Sequence, residues 1–145
     1  MTAFFSKRLG SYSRHLKKRF AKTGVILMYH RIAQPNSDPQ LLAVTASHFE
    51  EHLEVIRRYY RPISLTQLSN GVARRNIPPC SVVITFDDGY SDNLYAAKPL
   101  LERQGIPATV FVTGSYIGKR DLLWWDELEK IILLPGELPP SFYVR

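Results

Sequence analysis

Two carboxylates stand side by side at Asp87-Asp88, directly after the run Ser81-Val82-Val83-Ile84-Thr85-Phe86. That run is apolar on both faces, as a central parallel strand is, so it carries the pair to the C-terminal edge of a sheet. Open α/β sheets and β/α barrels both build their sites at that edge. Adjacent carboxylates repel, and a divalent cation or a shared proton is the usual compensation. Neighbouring side chains diverge, so one carboxylate can ligate a metal while the other acts as a base. Gly89 lets the backbone turn sharply beside them. The plainer alternative is that both aspartates cap the following helix and sit in water. His30 ends a second apolar run, Gly24 to Tyr29, and could converge on the same sheet edge, although a lone histidine there is more often structural. His48 and His52 have the i, i+4 spacing that can bind metal, but they flank the core positions Phe49 and Leu53 and read as surface residues. Trp124-Trp125 fits either stacking on a sugar ring or packing in a core.

These residues need elements to position them. Gly24 to His30 reads as a buried strand, and Ala33 to Gln40 as a loop. Ser47 and Glu50 have the spacing of a capping box, opening a helix whose apolar face is Phe49, Leu53, Ile56 and Tyr60. Pro62 stops it; Ile63-Ser64-Leu65 reads as a brief strand, with another short helix starting at Thr66 to Leu68. Residues 69–80 read as a connection. After the strand at 81–86, Asp92 to Gln104 reads as helical, interrupted or restarted at Pro99 and capped by Gly105. Ala108 to Val112 is the next strand, so residues 81–113 form a β-α-β crossover with parallel strands. From Asp121 the pattern changes to Leu122 through Leu128, followed by an apolar helical stretch to Leu134, and 141–145 could begin a strand.

The chain has 145 residues, 45% of them apolar and 22% charged, ordinary proportions for a globular protein. Its net charge of +6 is local. Seven of the 19 basic residues and none of the 13 acidic ones lie in 1–22, which leaves residues 23–145 at −1. A near-neutral body argues against a nucleic-acid-binding fold. Residues 4–20 place Phe5, Leu9, Tyr12, Leu16 and Phe20 at helical spacing among basic groups. That pattern fits an amphipathic extension able to touch an anionic membrane surface, or more simply one that packs on the domain. The single Cys80 excludes an internal disulfide and a cysteine zinc cluster. No run of about 18 apolar residues exists, and charges at Lys7, Arg8 and Arg14 interrupt any signal-peptide core. A cytoplasmic location is expected from these features.

Thr85-Phe86-Asp87-Asp88-Gly89-Tyr90, the helix with Pro99-Leu100-Leu101, and Gly105 to Val112 together resemble the first signature of the polysaccharide deacetylases, the NodB-homology family. Leu27-Met28-Tyr29-His30-Arg31 is similar to an N-terminal element of a large subgroup, and the resemblance runs from about residue 24 to 134. It implies an incomplete deformed (β/α) barrel over 23–145, the N-terminal portion of such a domain behind an extension at 1–22. It further implies that Asp87 is the general base, that Asp88 is a ligand of a divalent metal of the zinc type, and that His30 and Tyr90 line the site. The reaction implied is hydrolysis of an N-acetyl group from an aminosugar polysaccharide or oligosaccharide. A bound cation polarises the carbonyl and activates water, and the base takes the proton. The family's second signature, His-Ser/Thr-x-x-His-Pro, supplies two more metal ligands after the acidic pair. Here all four histidines (15, 30, 48 and 52) precede it. The chain alone is therefore expected to have little or no activity, and a relative that binds carbohydrate or a partner chain without hydrolysis is the alternative. No phosphate-cradling glycine loop accompanies the pair, so a phosphoryl hydrolase is disfavoured.

Overall fold

The structure is a computed structural model that describes residues 23–119, 121–133 and 141. The chain divides into two compact units, one ending at Val112 and the other beginning at Thr113. The proposed N-terminal helix and the strand expected at 141–145 fall largely outside the described residues.

The first unit is built on a parallel sheet. Strand β1 is Val25–Tyr29, followed by the short β2 (Arg31–Ile32) and β3 (Ala43–Val44), which pair only with each other. Helix α1 (Ala46–Tyr59), strand β4 (Arg61–Pro62) and helix α2 (Leu65–Ala73) lead to β5 (Ser81–Phe86). A π-helical turn (Asn93–Ala97) runs into α3 (Lys98–Gln104), and β6 (Ala108–Val110) closes the unit. β5 pairs in parallel with β1 on one side; on the other it pairs with β4 at its start and β6 at its end. Neighbours on both edges explain why every residue of β5 is buried, and why its sequence carries no alternation.

One face of this sheet is covered. Val82, Ile84 and Phe86 pack with Phe49, Leu53 and Ile56 of α1 and with Leu100 and Leu101 of α3, while Leu27 and Tyr29 join from β1. The 3.6-residue period of α1 puts its three buried side chains on one stripe. On the other face Val83 packs with Ile63 and with Leu68 of α2. On that face the β1 side chains are open: Ile26 is 51% and Met28 60% exposed.

Several element boundaries differ from the sequence expectation, each for a local reason. The N-cap of α1 is Thr45, whose side chain accepts from the His48 backbone N at 3.2 Å. Ser47, expected as the cap, lies inside the first turn with its Oγ 3.1 Å from Thr45 Oγ1, and Glu50 instead meets Arg103 Nη2 at 3.0 Å. The capping box exists one helix later. Ser64 Oγ accepts from Gln67 N at 3.1 Å, and Gln67 Oε1 accepts from Ser64 N at 2.9 Å. Ser64 thus ends the extended segment, so the strand sits earlier than expected, at Arg61–Pro62, with Ile63 N still donating to Val82 O at 2.9 Å. Gly71, read as part of a connection, lies in α2, where a Cβ would come within 3.2 Å of Asn76 O. Gly105 caps α3 in the left-handed region (φ 63°), as expected.

The second unit holds a 3₁₀ turn (Gly114–Tyr116) and helix α4 (Trp124–Ile132). The rings of Trp124 and Trp125 meet edge to face at 5.4 Å, and Trp124 is 61% exposed, so it is not a core residue. Tyr116 Oη accepts from Trp124 N at 3.1 Å. Among the described residues no helix is long and apolar enough to cross a membrane.

Candidate active site

The β1–β5 register ends with Tyr29 opposite Phe86. The Asp87 backbone N then donates to Tyr29 O at 2.9 Å, which continues the ladder by one bond. His30 and Asp87 are therefore neighbours at the C-terminal ends of adjacent strands. Side chains alternate along a strand. Tyr29 and Phe86 belong to the helix-covered side, where their ring centroids are 5.7 Å apart and Phe49 lies 5.1 Å from Tyr29. By that alternation His30 follows Met28, and Asp87 follows Thr85, onto the opposite face. Burial raises the Tyr29 phenol above its usual pKa.

The backbone after Asp87 is unusual. Gly89 N donates to Asp87 O at 2.9 Å across Asp88, whose φ is +71°. An i→i+2 bond around a positive-φ residue is the rare, strained form of the γ-turn. Aspartate tolerates positive φ better than most residues, yet the strain still costs about 1–3 kcal/mol. Gly89 follows at φ +75°, and a Cβ on it would lie 2.8 Å from Val112 Cγ1. Glycine is required there twice over, by conformation and by space.

A group of polar contacts joins this turn to the one after β1. Asp92 Oδ2 accepts from Arg31 Nε at 3.1 Å, and Asp92 Oδ1 accepts from Ile32 N at 3.0 Å. With the Asn93 amide oriented to satisfy its neighbours, its nitrogen donates to His30 O at 3.0 Å and to Asp92 Oδ1 at 3.2 Å. The Arg31 guanidinium lies 4.5 Å over the Tyr90 ring, a cation–π distance. The structure thus brings His30, Asp87, Asp88 and Tyr90 to one sheet edge. Arg31, Asp92 and Asn93 lie in segments the sequence reading covered, but it did not single them out as site residues. Their partners lie about 60 residues apart, and no local spacing marks them. The two other histidines of the body are exposed on α1, with His52 Nδ1 3.2 Å from the Tyr29 hydroxyl.

Among the described residues no group of three His, Cys, Asp or Glu side chains is placed to hold a metal ion. Catalytic zinc usually has three protein ligands, so the residues present do not by themselves fit such a centre.

Comparison with known proteins places this arrangement. Residues 74–133 match the family Polysaccharide deacetylase. The chain is 35% identical over 109 residues to YxkH of Bacillus subtilis (strain 168), itself named as a candidate polysaccharide deacetylase; the match covers 73% of this chain and 37% of that protein. It is 27% identical over 109 residues to the poly-β-1,6-N-acetyl-D-glucosamine N-deacetylase of Escherichia coli (strain K12), covering 72% of this chain and 16% of the relative. The structure of IcaB from Ammonifex degensii superposes with a TM-score of 0.58 at 29% identity, over 68% of this chain and 41% of that one. The Streptococcus pyogenes deacetylase PplD, solved with acetate, gives 0.58 at 24% identity over 72% and 50%, a likeness of fold alone. The chain therefore spans well under two thirds of the curated relatives it matches. Over the part compared, the chain is similar to the polysaccharide deacetylases, and its parallel sheet with flanking helices is part of the deformed (β/α) barrel those proteins share.

Proposed function

We propose that residues 23–145 are part of a domain that hydrolyses N-acetyl groups from an aminosugar glycan, with residues 1–22 as an extension to it. One observation carries the reading: two carboxylates follow a fully buried central strand, and the second is held in a strained turn. Strain of this kind persists where the surroundings enforce it, and it clusters at active sites. In this reading Asp87 accepts a proton from the attacking water, a contribution typically of order 10²–10⁴ in rate. Asp88 is the ligand this stretch offers to a divalent cation of the zinc type, and His30 and Tyr90 line the acetamide pocket. The cation would polarise the carbonyl and acidify water. The described residues do not complete its ligand set. The E. coli relative's name supports N-acetylglucosamine polymers as the substrate class.

That incomplete set also favours a second reading, a relative that binds glycan without hydrolysing it. One exchange experiment separates the two. The 109 residues that match in the E. coli deacetylase are replaced by those of this chain, and acetate release from N-acetylglucosamine oligomers is measured with Zn²⁺ supplied. Release above that of the unexchanged enzyme lacking its own acidic pair supports catalysis. A folded hybrid that binds the oligomers but releases no acetate supports the binding reading. A folded hybrid that does neither contradicts both.

A further inference from the structure

The turns that follow β1 and β5 are locked together by groups that contribute nothing to the strand ladder. Three consecutive residues after β1 are held by two consecutive residues after β5. The His30 carbonyl accepts from the Asn93 amide at 3.0 Å. The Arg31 side chain and the Ile32 N–H donate to the two oxygens of Asp92, at 3.1 and 3.0 Å. The Asp92 side chain is only 15% exposed, and Asn93 is buried. Arg31 is thereby neutralised, and its guanidinium is laid over Tyr90. The segment between is tied to β1 at its start, by Asp87 N donating to Tyr29 O at 2.9 Å, and closes a local turn at its far end, where Asn93 N donates to Tyr90 O at 3.0 Å. The strained γ-turn at Asp88 lies between those two bonds. Asn93 also opens the π-helical turn, with its carbonyl accepting from Lys98 N. Such wide turns are frequent at functional sites.

From this geometry we infer that Asp92 and Asn93 are positioning residues. They set the spacing between His30 and the Asp87-Asp88 pair and hold Asp88 in its strained conformation. The roles of Asp87 and Asp88 rest on the proposed function; the coupling between the two turns does not. An error of about 1 Å in such a placement can cost about 100-fold in rate, so a residue touching no reacting atom still governs turnover.

The test is residue-resolved amide hydrogen exchange on the isotope-labelled chain, for wild type, Asp92→Ala and Asp92→Asn. In Asp92→Ala the Ile32 and Asp87 amides are expected to exchange at least about 10-fold faster, with Val83 and Ile84 within about twofold of wild type. Asp92→Asn keeps an acceptor for the Ile32 N–H and is expected to restore its protection, while the Arg31 Nε–H loses its own. If the alanine variant does not fold, that split in Asp92→Asn carries the comparison. In the E. coli hybrid, Asp92→Ala is expected to lower kcat about 100-fold with KM within about threefold. Wild-type protection at Ile32 and Asp87, or equal acceleration at every amide, overturns the coupling. An active hybrid whose kcat does not respond overturns the positioning role. An inactive wild-type hybrid with local acceleration in the chain overturns the deacetylase reading and leaves the coupling standing.

Discussion

Asp88 and Gly89 both hold positive φ, at +71° and +75°, one residue beyond a fully buried strand. The two positions differ in what they tolerate. Gly89→Ala adds a strained conformation and a Cβ 2.8 Å from Val112 Cγ1, and is expected to lower unfolding free energy by about 2 kcal/mol in urea titration. A loss under about 0.5 kcal/mol would mean the turn relaxes at no cost. The acidic pair itself was legible in the sequence, because the signal is contiguous: an apolar strand, two carboxylates and a glycine. His30 was legible in the same way, from the run before it. The strain at Asp88 was not, since nothing in the residue types separates a γ-turn from an ordinary helix cap. The pairing of Asp92 with Arg31 was invisible for another reason, as an ion pair spanning 61 residues leaves no local pattern.

At the scale of elements, most existence and type assignments followed from hydrophobic period, and the errors sit at caps. β5 was clear from its unbroken apolar run, and α1 from Phe49, Leu53 and Ile56. The start of α1 was misread because Thr45, Ser47 and Glu50 offer two overlapping cap patterns; backbone conformation at Thr45 (φ −65°, ψ 153°) decides between them. This has a measurable consequence. Thr45→Ala is expected to destabilise the first unit by about 1 kcal/mol, whereas Ser47→Ala stays within about 0.5 kcal/mol. Equal losses from the two, or a larger loss from Ser47→Ala, would contradict the assigned cap. The Ser64–Gln67 box was missed because Ile63-Ser64-Leu65 looked like a strand. Its hydrophobic neighbours belong to different elements, one to the sheet and one to α2.

For the whole molecule, the sheet face that carries His30 and Asp87 is the less covered one. Ile26 and Met28 are half exposed or more, and Val110, Phe111 and Val112 are similarly open at the end of β6. Apolar surface of this kind next to parallel edge strands drives association. Sedimentation velocity is expected to show self-association on the order of 10 µM, reduced by Met28→Glu. A monomer throughout that range would show that this face is not sticky. Parallel strands were legible from the β-α-β crossover, whereas the barrel class came only from the resemblance carried by Thr85 to Tyr90 and Gly105 to Val112. The central claim, that Asp87 takes the proton in amide hydrolysis, meets its most direct test in the E. coli hybrid. Asp87→Asn keeps the shape and removes the base. Acetate release from N-acetylglucosamine oligomers is expected to fall by at least about 100-fold, with KM within about threefold and an unchanged melting temperature. Release within about threefold of the parent hybrid would contradict it.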